Sequence, residues 1–311
     1  MRILVTGGAG YIGSVLVPLL LAEDHEVTVV DNFGALYSRT SLLGWMWHPN
    51  LTIVEGDVRD RALMSRLLKT TDTVIALAAV VGAPACDRNP IAAKTTNLDA
   101  IMMLLEIRND QKILYACTNS GYGLGQGDIH CTEETPLRPI SLYGRLKVEA
   151  EKCLLQSGET ISLRLATVFG ISPSPRVRLL VNDFVNRAVN DKYVVLFEAH
   201  FKRNYIHVRD VVWAFVHSID NFETMKNEAY NVGLSEANLS KWELCEEIKK
   251  QVPDFYFVES PISRDPDKRD YIVSNVKIEA TGFESIVSLQ DGITELIKGY
   301  QAPLRGIGRD Y

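Results

Sequence analysis

The sequence predicts an α/β fold: a doubly wound parallel sheet flanked by helices, with a smaller lobe towards the carboxyl terminus. Three observations carry that expectation. Short apolar runs of strand length alternate with longer helical patterns through residues 1–170. The first run leads at once into a glycine-rich turn that opens a helix. Beyond Gly170 the pattern changes to Pro173-Ser-Pro175, short helices and shorter strands. The expected division is residues 1–170 with about 206–233 for the sheet domain, and 171–205 with 234–311 for the lobe.

A chain of 311 residues is long enough for one large domain or two smaller ones. Its 46% hydrophobic and 23% charged residues describe an ordinary globular protein. A net charge of -6 without a basic block argues against a nucleic-acid surface. No apolar run approaches the length of a membrane span, and the opening Met-Arg-Ile-Leu-Val reads as a strand rather than a signal segment. The five cysteines form no C-x-x-C pair, the six histidines show no ligand spacing, and no G-x-S-x-G elbow is present. A soluble, reduced, cytoplasmic protein without a metal is expected.

Taken in order, Arg2 to Val5 is an apolar run suited to a buried parallel strand. Thr6-Gly7-Gly8-Ala9-Gly10-Tyr11-Ile12-Gly13 follows, with Ile12, Val15, Leu16, Leu19 and Leu20 at helical spacing. Gly7 permits the tight turn, Gly10 lets the backbone approach a pyrophosphate, and Gly13 allows close helix–strand packing. Tyr11 and Ile12 fall at the helix N-terminus, whose N–H groups would meet the phosphates. This is the pattern of a Rossmann-type dinucleotide site. Pro18, inside that helix, is expected to remove a hydrogen bond and bend the axis.

The second strand, Glu26 to Val30, ends in Asp31-Asn32. An acid there accepts hydrogen bonds from ribose hydroxyls and repels a 2′-phosphate, which selects NAD over NADP. Apolar residues between 33 and 50, among them Leu36, Trp45, Met46 and Trp47, suggest a short helix packed on the sheet or on a partner subunit. A third strand, Leu51 to Val54, runs into Gly56-Asp57-Val58, where Asp57 would meet the adenine amino group or cap the next helix. The fourth strand and its turn, Thr73 to Val81, carry Leu77, Ala78 and Ala79, small enough for a cofactor to pass. A long helix is expected over 89–108, with an apolar surface too wide for one neighbour. A homodimer packed through the helices at 89–108 and 141–157 follows from it.

Lys112 to Cys117 is the fifth strand and ends in Thr118-Asn119-Ser120-Gly121-Tyr122-Gly123, a hydroxyl-rich turn on the edge where such sheets bind ligands. The helix after Ser141 places Tyr143 and Lys147 four residues apart, on one face. A phenol near pKa ~10 is too weak an acid to serve as a base at neutral pH, and a neighbouring lysine cation would lower that value. Ile161 to Ala166 is the sixth strand. The lobe contributes Arg176, Arg178, Asn182, Arg203, Tyr205, His207, Arg209 and Arg269, and arginine forks suit a diphosphate.

The glycine turn, the Thr118 turn and Tyr143-x-x-x-Lys147 resemble the short-chain dehydrogenase/reductase superfamily, over essentially the whole chain. Length and later motifs look like its extended branch, the nucleotide-sugar epimerases, dehydratases and dehydrogenases. The resemblance implies NAD as cofactor and a nucleotide-sugar substrate. It implies Tyr143 as general base, Lys147 on the nicotinamide ribose and Thr118 assisting. Asn97 matches the family asparagine after the fourth strand, and Arg203 and Arg269 match substrate and diphosphate contacts. Asn119, Ser120, Asn182, Arg178 and Tyr205 are implied beside them.

Departures carry information too. Ala76 stands where the family usually has histidine, and Thr167 where it has asparagine. The Asp-Glu pair that dehydratases use after the hydroxyl residue reads Asn119-Ser120, and neither group exchanges protons in that role. Within the branch, the stretches at 118–123, 179–184 and 265–271 look most like the GDP-D-glycero-D-manno-heptose 4-dehydrogenases of capsule polysaccharide biosynthesis. The alternatives are a UDP-glucose 4-epimerase type of enzyme and a catalytically silent NAD-binding protein.

Overall fold

Strand β1 (Arg2–Thr6) is paired on both sides, and the rest of the sheet is laid out around it. The structure is a computed structural model that describes residues 1–125, 127, 129–260 and 269–302. The Asp265–Lys268 part of the late arginine motif and the last stretch of the expected lobe, 303–311, lie outside the described residues.

In chain order, β1 is followed by α1 (Gly13–Ala22), β2 (Glu26–Asp31), β3 (Leu51–Glu55), α2 (Arg61–Leu68) and β4 (Thr73–Ala76). Then come α3 (Ala83–Arg88), α4 (Pro90–Lys94), α5 (Ala100–Ile107), β5 (Lys112–Thr118), α6 (Leu142–Gln156) and β6 (Thr160–Leu165). The later chain adds β7 (Thr167–Phe169), α7 (Leu180–Asn190), β8 (Tyr193–Leu196), β9 (Lys202–His207), α8 (Val208–Asp220), α9 (Phe222–Met225) and β10 (Glu228–Val232). Last are β11 (Asn238–Ser240), α10 (Lys241–Gln251), β12 (Tyr256–Glu259), α11 (Val276–Glu279) and α12 (Leu289–Gln301).

Seven parallel strands form the main sheet in the order β10-β6-β5-β4-β1-β2-β3. Strand residues alternate between its two faces. Ile3, Val5, Val29 and Leu114 pack with residues of α1 and α8 on one side. Leu4, Val30, Ile113 and Tyr115 pack with residues of α2, α5 and α6 on the other. A doubly wound sheet results, as the sequence predicts. A separate core of Phe169, Val185, Tyr205, Leu244, Ile293 and Leu296 unites α7, α10 and α12 with β7 and β9.

Three local expectations change. Helix α1 runs through Pro18 without interruption. The proline follows the first turn of the helix and leaves the Ser14 carbonyl without its helical partner. Between residues 33 and 50 only one turn, Leu43–Trp45, is helical; Trp45 packs on the core while Leu36 and Trp47 are exposed. The helix expected over 89–108 starts at Pro90, capped by Asn89, and widens into a π turn at Thr95–Asp99. That wide turn turns the Asn97 side chain inward, where its Oδ1 accepts from Val80 N and its Nδ2 donates to Val80 O.

One buried ion pair fastens α6 to the sheet. Arg164 on β6 donates through Nε and Nη2 to Glu151 on α6, and both side chains are less than a tenth exposed. Removing one member of such a pair strands the other charge in a dry interior. Arg164→Met is therefore expected to lower stability by about 3–5 kcal/mol in urea unfolding. The double variant with Glu151→Leu should recover much of that loss.

Candidate active site

The carboxyl ends of the parallel strands open onto one cleft of about 910 Å³. The glycine turn after β1, Asp31 and Asn32 after β2, and Asp57 and Val58 after β3 line one half. Leu77, Ala78 and Ala79 after β4 line its floor. Thr118, Ser120, Tyr143 and Lys147 line the other half, opposite Arg176 and Arg269.

The turn after β1 is built for a ligand to approach its backbone. Gly7 has φ +68°, and a Cβ there would fall 2.8 Å from Ala78 Cα. A Cβ on Gly13 would lie 2.5 Å from Gly8 Cα, so only glycine lets α1 start this close to the turn. Asp31 stands at the end of β2, where its two oxygens accept from Ala9 N at 3.0 Å and Phe33 N at 2.8 Å. Asn32 Oδ1 accepts from Gly34 N and shapes the next turn. Asp57 is held by Arg59, whose Nη2 donates at 2.6 Å, and that cation keeps the Asp57 carboxyl below its usual range.

At the other end, Ser141 caps α6 by accepting from Gly144 N, and this fixes where the helix begins. Tyr143, half-buried at the cleft, and Lys147, fully buried, lie one turn apart. Thr118 caps the turn after β5: its Oγ1 accepts from Ser120 N and donates to Ser120 Oγ at 3.0 Å. Arg269 Nη1 donates to the same Ser120 oxygen. Tyr143, the hydroxyl turn and the two arginines thus line one cleft.

A model of the NAD dependent epimerase/dehydratase family matches residues 3–233. The chain belongs to that family. The low-salt glycan biosynthesis protein Agl12 of Haloferax volcanii is 32% identical, over 96% of this chain and 98% of its own. The UDP-glucose 4-epimerase of Thermotoga maritima, solved with UDP-glucose, is 27% identical with a TM-score of 0.84 and covers 96% of this chain and 98% of its own. The UDP-glucose 4-epimerase of Thermus thermophilus, solved with NAD, is 26% identical, also at TM-score 0.84, covering 98% of this chain and 100% of its own. This is an extended short-chain dehydrogenase/reductase of the nucleotide-sugar epimerase and dehydratase group, and NAD is its cofactor.

The residues present fit that cofactor: bare backbone at Gly7 and Gly10 for the pyrophosphate, a carboxylate at Asp31 for a ribose, and small side chains at Ala78 and Ala79. Burial pushes the Asp31 carboxyl up, and the two backbone N–H donors pull the other way.

Burial also governs Tyr143 and Lys147. It pushes the Tyr143 hydroxyl well above its ordinary value, while the Arg176 and Arg269 cations pull it down. The sequence leads one to expect depression by Lys147; in the folded chain the dry surroundings outweigh the nearby cations. Lys147 is lowered by burial to about 8, against the pull of Cys117, Glu151 and Cys86.

Several residues singled out in the sequence do not line the cleft. Asn97 is spent on Val80, as above. Asn182 is 2% exposed; it accepts from Gly170 N and donates to the carbonyls of Gly170 and Arg176. It holds the loop that carries Arg176. Arg178, two residues further on, is exposed outside the cleft. Arg203 and Tyr205 are buried on β9, with Tyr205 in the second core. Asn119 is buried behind the Thr118 turn. Arg176 takes the place expected of Arg178, in a proline-interrupted loop whose facing no periodicity could reveal.

The buried lysine has a measurable consequence. Its folded-state pKa of about 8 lies below the ordinary 10.5, so between those values the unfolded chain binds more protons and stability from this group rises with pH. Lys147→Met should be more stable than the natural protein at pH ~7, by ~3 kcal/mol. The gap should close between pH 8 and pH 10.5, read by urea unfolding of both proteins at each pH.

Proposed function

We propose that this enzyme oxidises C4 of a nucleotide-diphosphate sugar, with Tyr143 as general base, and releases the 4-keto sugar. The best candidate substrate is GDP-D-glycero-D-manno-heptose, destined for a capsule or other surface polysaccharide. The observation that carries the reading is the turn Thr118-Asn119-Ser120, whose Thr118 and Ser120 meet Tyr143 in one cleft and which contains no proton-exchanging acid.

Tyr143 takes the proton of the C4 hydroxyl. Thr118 hydrogen-bonds the same oxygen, and Lys147 contributes a positive charge that favours the phenolate. Bound NAD supplies the hydride acceptor and a second positive charge in the cleft. Arg176 and Arg269 present N–H donors suited to the diphosphate and add to the field on Tyr143. The balance is simple: a C–H and an O–H bond of the substrate become a carbonyl, the hydride leaves with the cofactor, and the proton leaves through Tyr143.

Dehydration needs an acid and a base beyond the hydroxyl group. Asn119 and Ser120 occupy those places, and Ser120 is engaged with Thr118 and Arg269. A second reading, 4-epimerisation, is favoured by the resemblance to UDP-glucose 4-epimerases. In that case the hydride returns to the opposite face of the same carbon and no ketone leaves.

Tyr143→Phe should still bind NAD and should lose turnover by about a thousandfold. Near-normal turnover in that variant would sink the role given to the phenol. A panel of GDP-, UDP-, dTDP- and ADP-sugars, followed by NADH absorbance and product mass, separates the readings. Accumulating NADH with a ketone marks a dehydrogenase, and an isomer of unchanged mass without NADH marks an epimerase.

The enzyme is also proposed to be a homodimer through α4–α5 and α6. Ile91 is 78% exposed and Met102 38% exposed on the first of these, an apolar surface that a second copy would cover. Sedimentation should give twice the 34.8 kDa chain mass. A monomer would refute the packing.

A further inference from the structure

The Lys147 ammonium is the one cation of the proton-transfer pair, and its surroundings hold no carboxylate dedicated to it. Among the described residues it makes no ion pair. Glu151, one turn along α6, accepts instead from Ser162 Oγ at 2.6 Å and from Arg164. Lys147 is 3% exposed. An ammonium this dry sheds its proton unless something else holds the charge.

What lies against it is an aromatic face. Lys147 Nζ is 3.9 Å from the centroid of the Tyr115 ring. Tyr115 is on β5, directed with Cys117 towards α6 by the alternation of the strand, and it is 1% exposed. Its hydroxyl donates to the Lys147 carbonyl at 3.4 Å, so the ring is tied to the backbone of the residue whose side chain it faces. Such a ring carries a negative face that attracts a cation most strongly when both are desolvated. It does so without accepting the ammonium's N–H bonds, so those donors remain for ligands in the cleft. A carboxylate in its place would occupy them.

We propose that Tyr115 is a positioning residue for the proton-transfer pair, whose ring face holds the Lys147 ammonium in place and keeps it charged at neutral pH. The proposal rests on the role given to Lys147 above. Other titratable groups around Lys147 are the Cys117 thiol on β5, the Cys86 thiol on α3, and Tyr143 and Glu151 on its own helix. Cys117 donates weakly to the Lys147 carbonyl, and burial pushes both thiols up, so neither is an anion that could replace the ring.

Fluorinated phenylalanines test this with almost no change of shape. Tyr115→Phe is the reference, followed by mono-, di- and trifluorinated phenylalanine at the same position, each weakening the negative face. Lys147 is titrated in protein labelled with carbon-13 lysine, its resonance assigned by its loss in Lys147→Met. The midpoint should fall with each fluorine, by roughly one pKa unit across the series. The limb of the pH profile of kcat/KM that belongs to Lys147 should move down with it. A midpoint that stays flat overturns the ring contact, and this readout needs no turnover. A midpoint that moves while the profile stays still overturns the positioning role. Full turnover in Lys147→Met would instead sink the underlying mechanism, so the two failures are distinguishable.

Discussion

Glu151 is 2% exposed, and its two oxygens accept from Ser162 on β6 and from Nε and Nη2 of Arg164. That carboxylate fastens the helix that carries Tyr143 and Lys147 to the sheet. The same Arg164 reaches with Nη1 to the Tyr122 hydroxyl, which in turn donates to Asn231 on β10. Helix α6, the turn from Thr118 to Tyr122 and the edge strand of the sheet are thereby held by one buried group of polar side chains. Tyr143 and Thr118 come from separate elements, and this tie adds to the packing of Leu146, Ala150 and Leu154 on β5 in fixing their separation. A buried pair of this kind adds little net stability, but its breakage would let the two halves of the site drift.

A second tie joins the cofactor turn to the rest. Tyr11 donates its hydroxyl to Gly170 O at 2.8 Å, and Asn182 accepts from Gly170 N. Gly170 has φ +116°, and a Cβ there would strike the ring of His207, so this bend cannot carry a side chain. Ser172 donates back to Tyr11 O. The loop that delivers Arg176 to the cleft is therefore clamped to the same turn that receives the pyrophosphate. The glycine turn and the Arg176 loop are set against each other by side-chain-to-backbone hydrogen bonds rather than by surface charge.

Much of this was readable in the sequence because it depends on local pattern. The glycine turn, the acid after β2 and the four-residue spacing of Tyr143 and Lys147 are each fixed within one strand–turn–helix unit, and the cleft gathers all of them. Other features depend on tertiary geometry. Asn97 lies in a helical segment with a π turn, and its amide is taken up by the backbone of Val80 in the cleft wall. Arg176 and Arg178 belong to a loop between prolines, where no period says which one faces inward. Tyr205 alternates correctly on β9, but towards the core of a lobe whose packing partners come from α7, α10 and α12. The depth of burial at Lys147 was equally illegible, because it is set by every element packed around α6 at once.

That burial shapes the chemistry more than the residue types do. Burial pushes the Tyr143 phenol and the Lys147 ammonium alike towards their neutral forms, which is the wrong pairing for the base and supporting cation proposed above. Acting against that push are groups that are not themselves titratable near neutral pH: the Arg176 and Arg269 guanidinium groups, which pull the phenol down without overcoming burial, and the ring of Tyr115 against the lysine, to which bound NAD would add a positive charge. Asn119 fits the same logic. Its amide is 1% exposed and finds no hydrogen-bond partner among the described residues, so a carboxylate there would be an unpaired buried anion. An amide avoids that charge at the cost of an unsatisfied polar group, and it cannot exchange a proton as a carboxylate would.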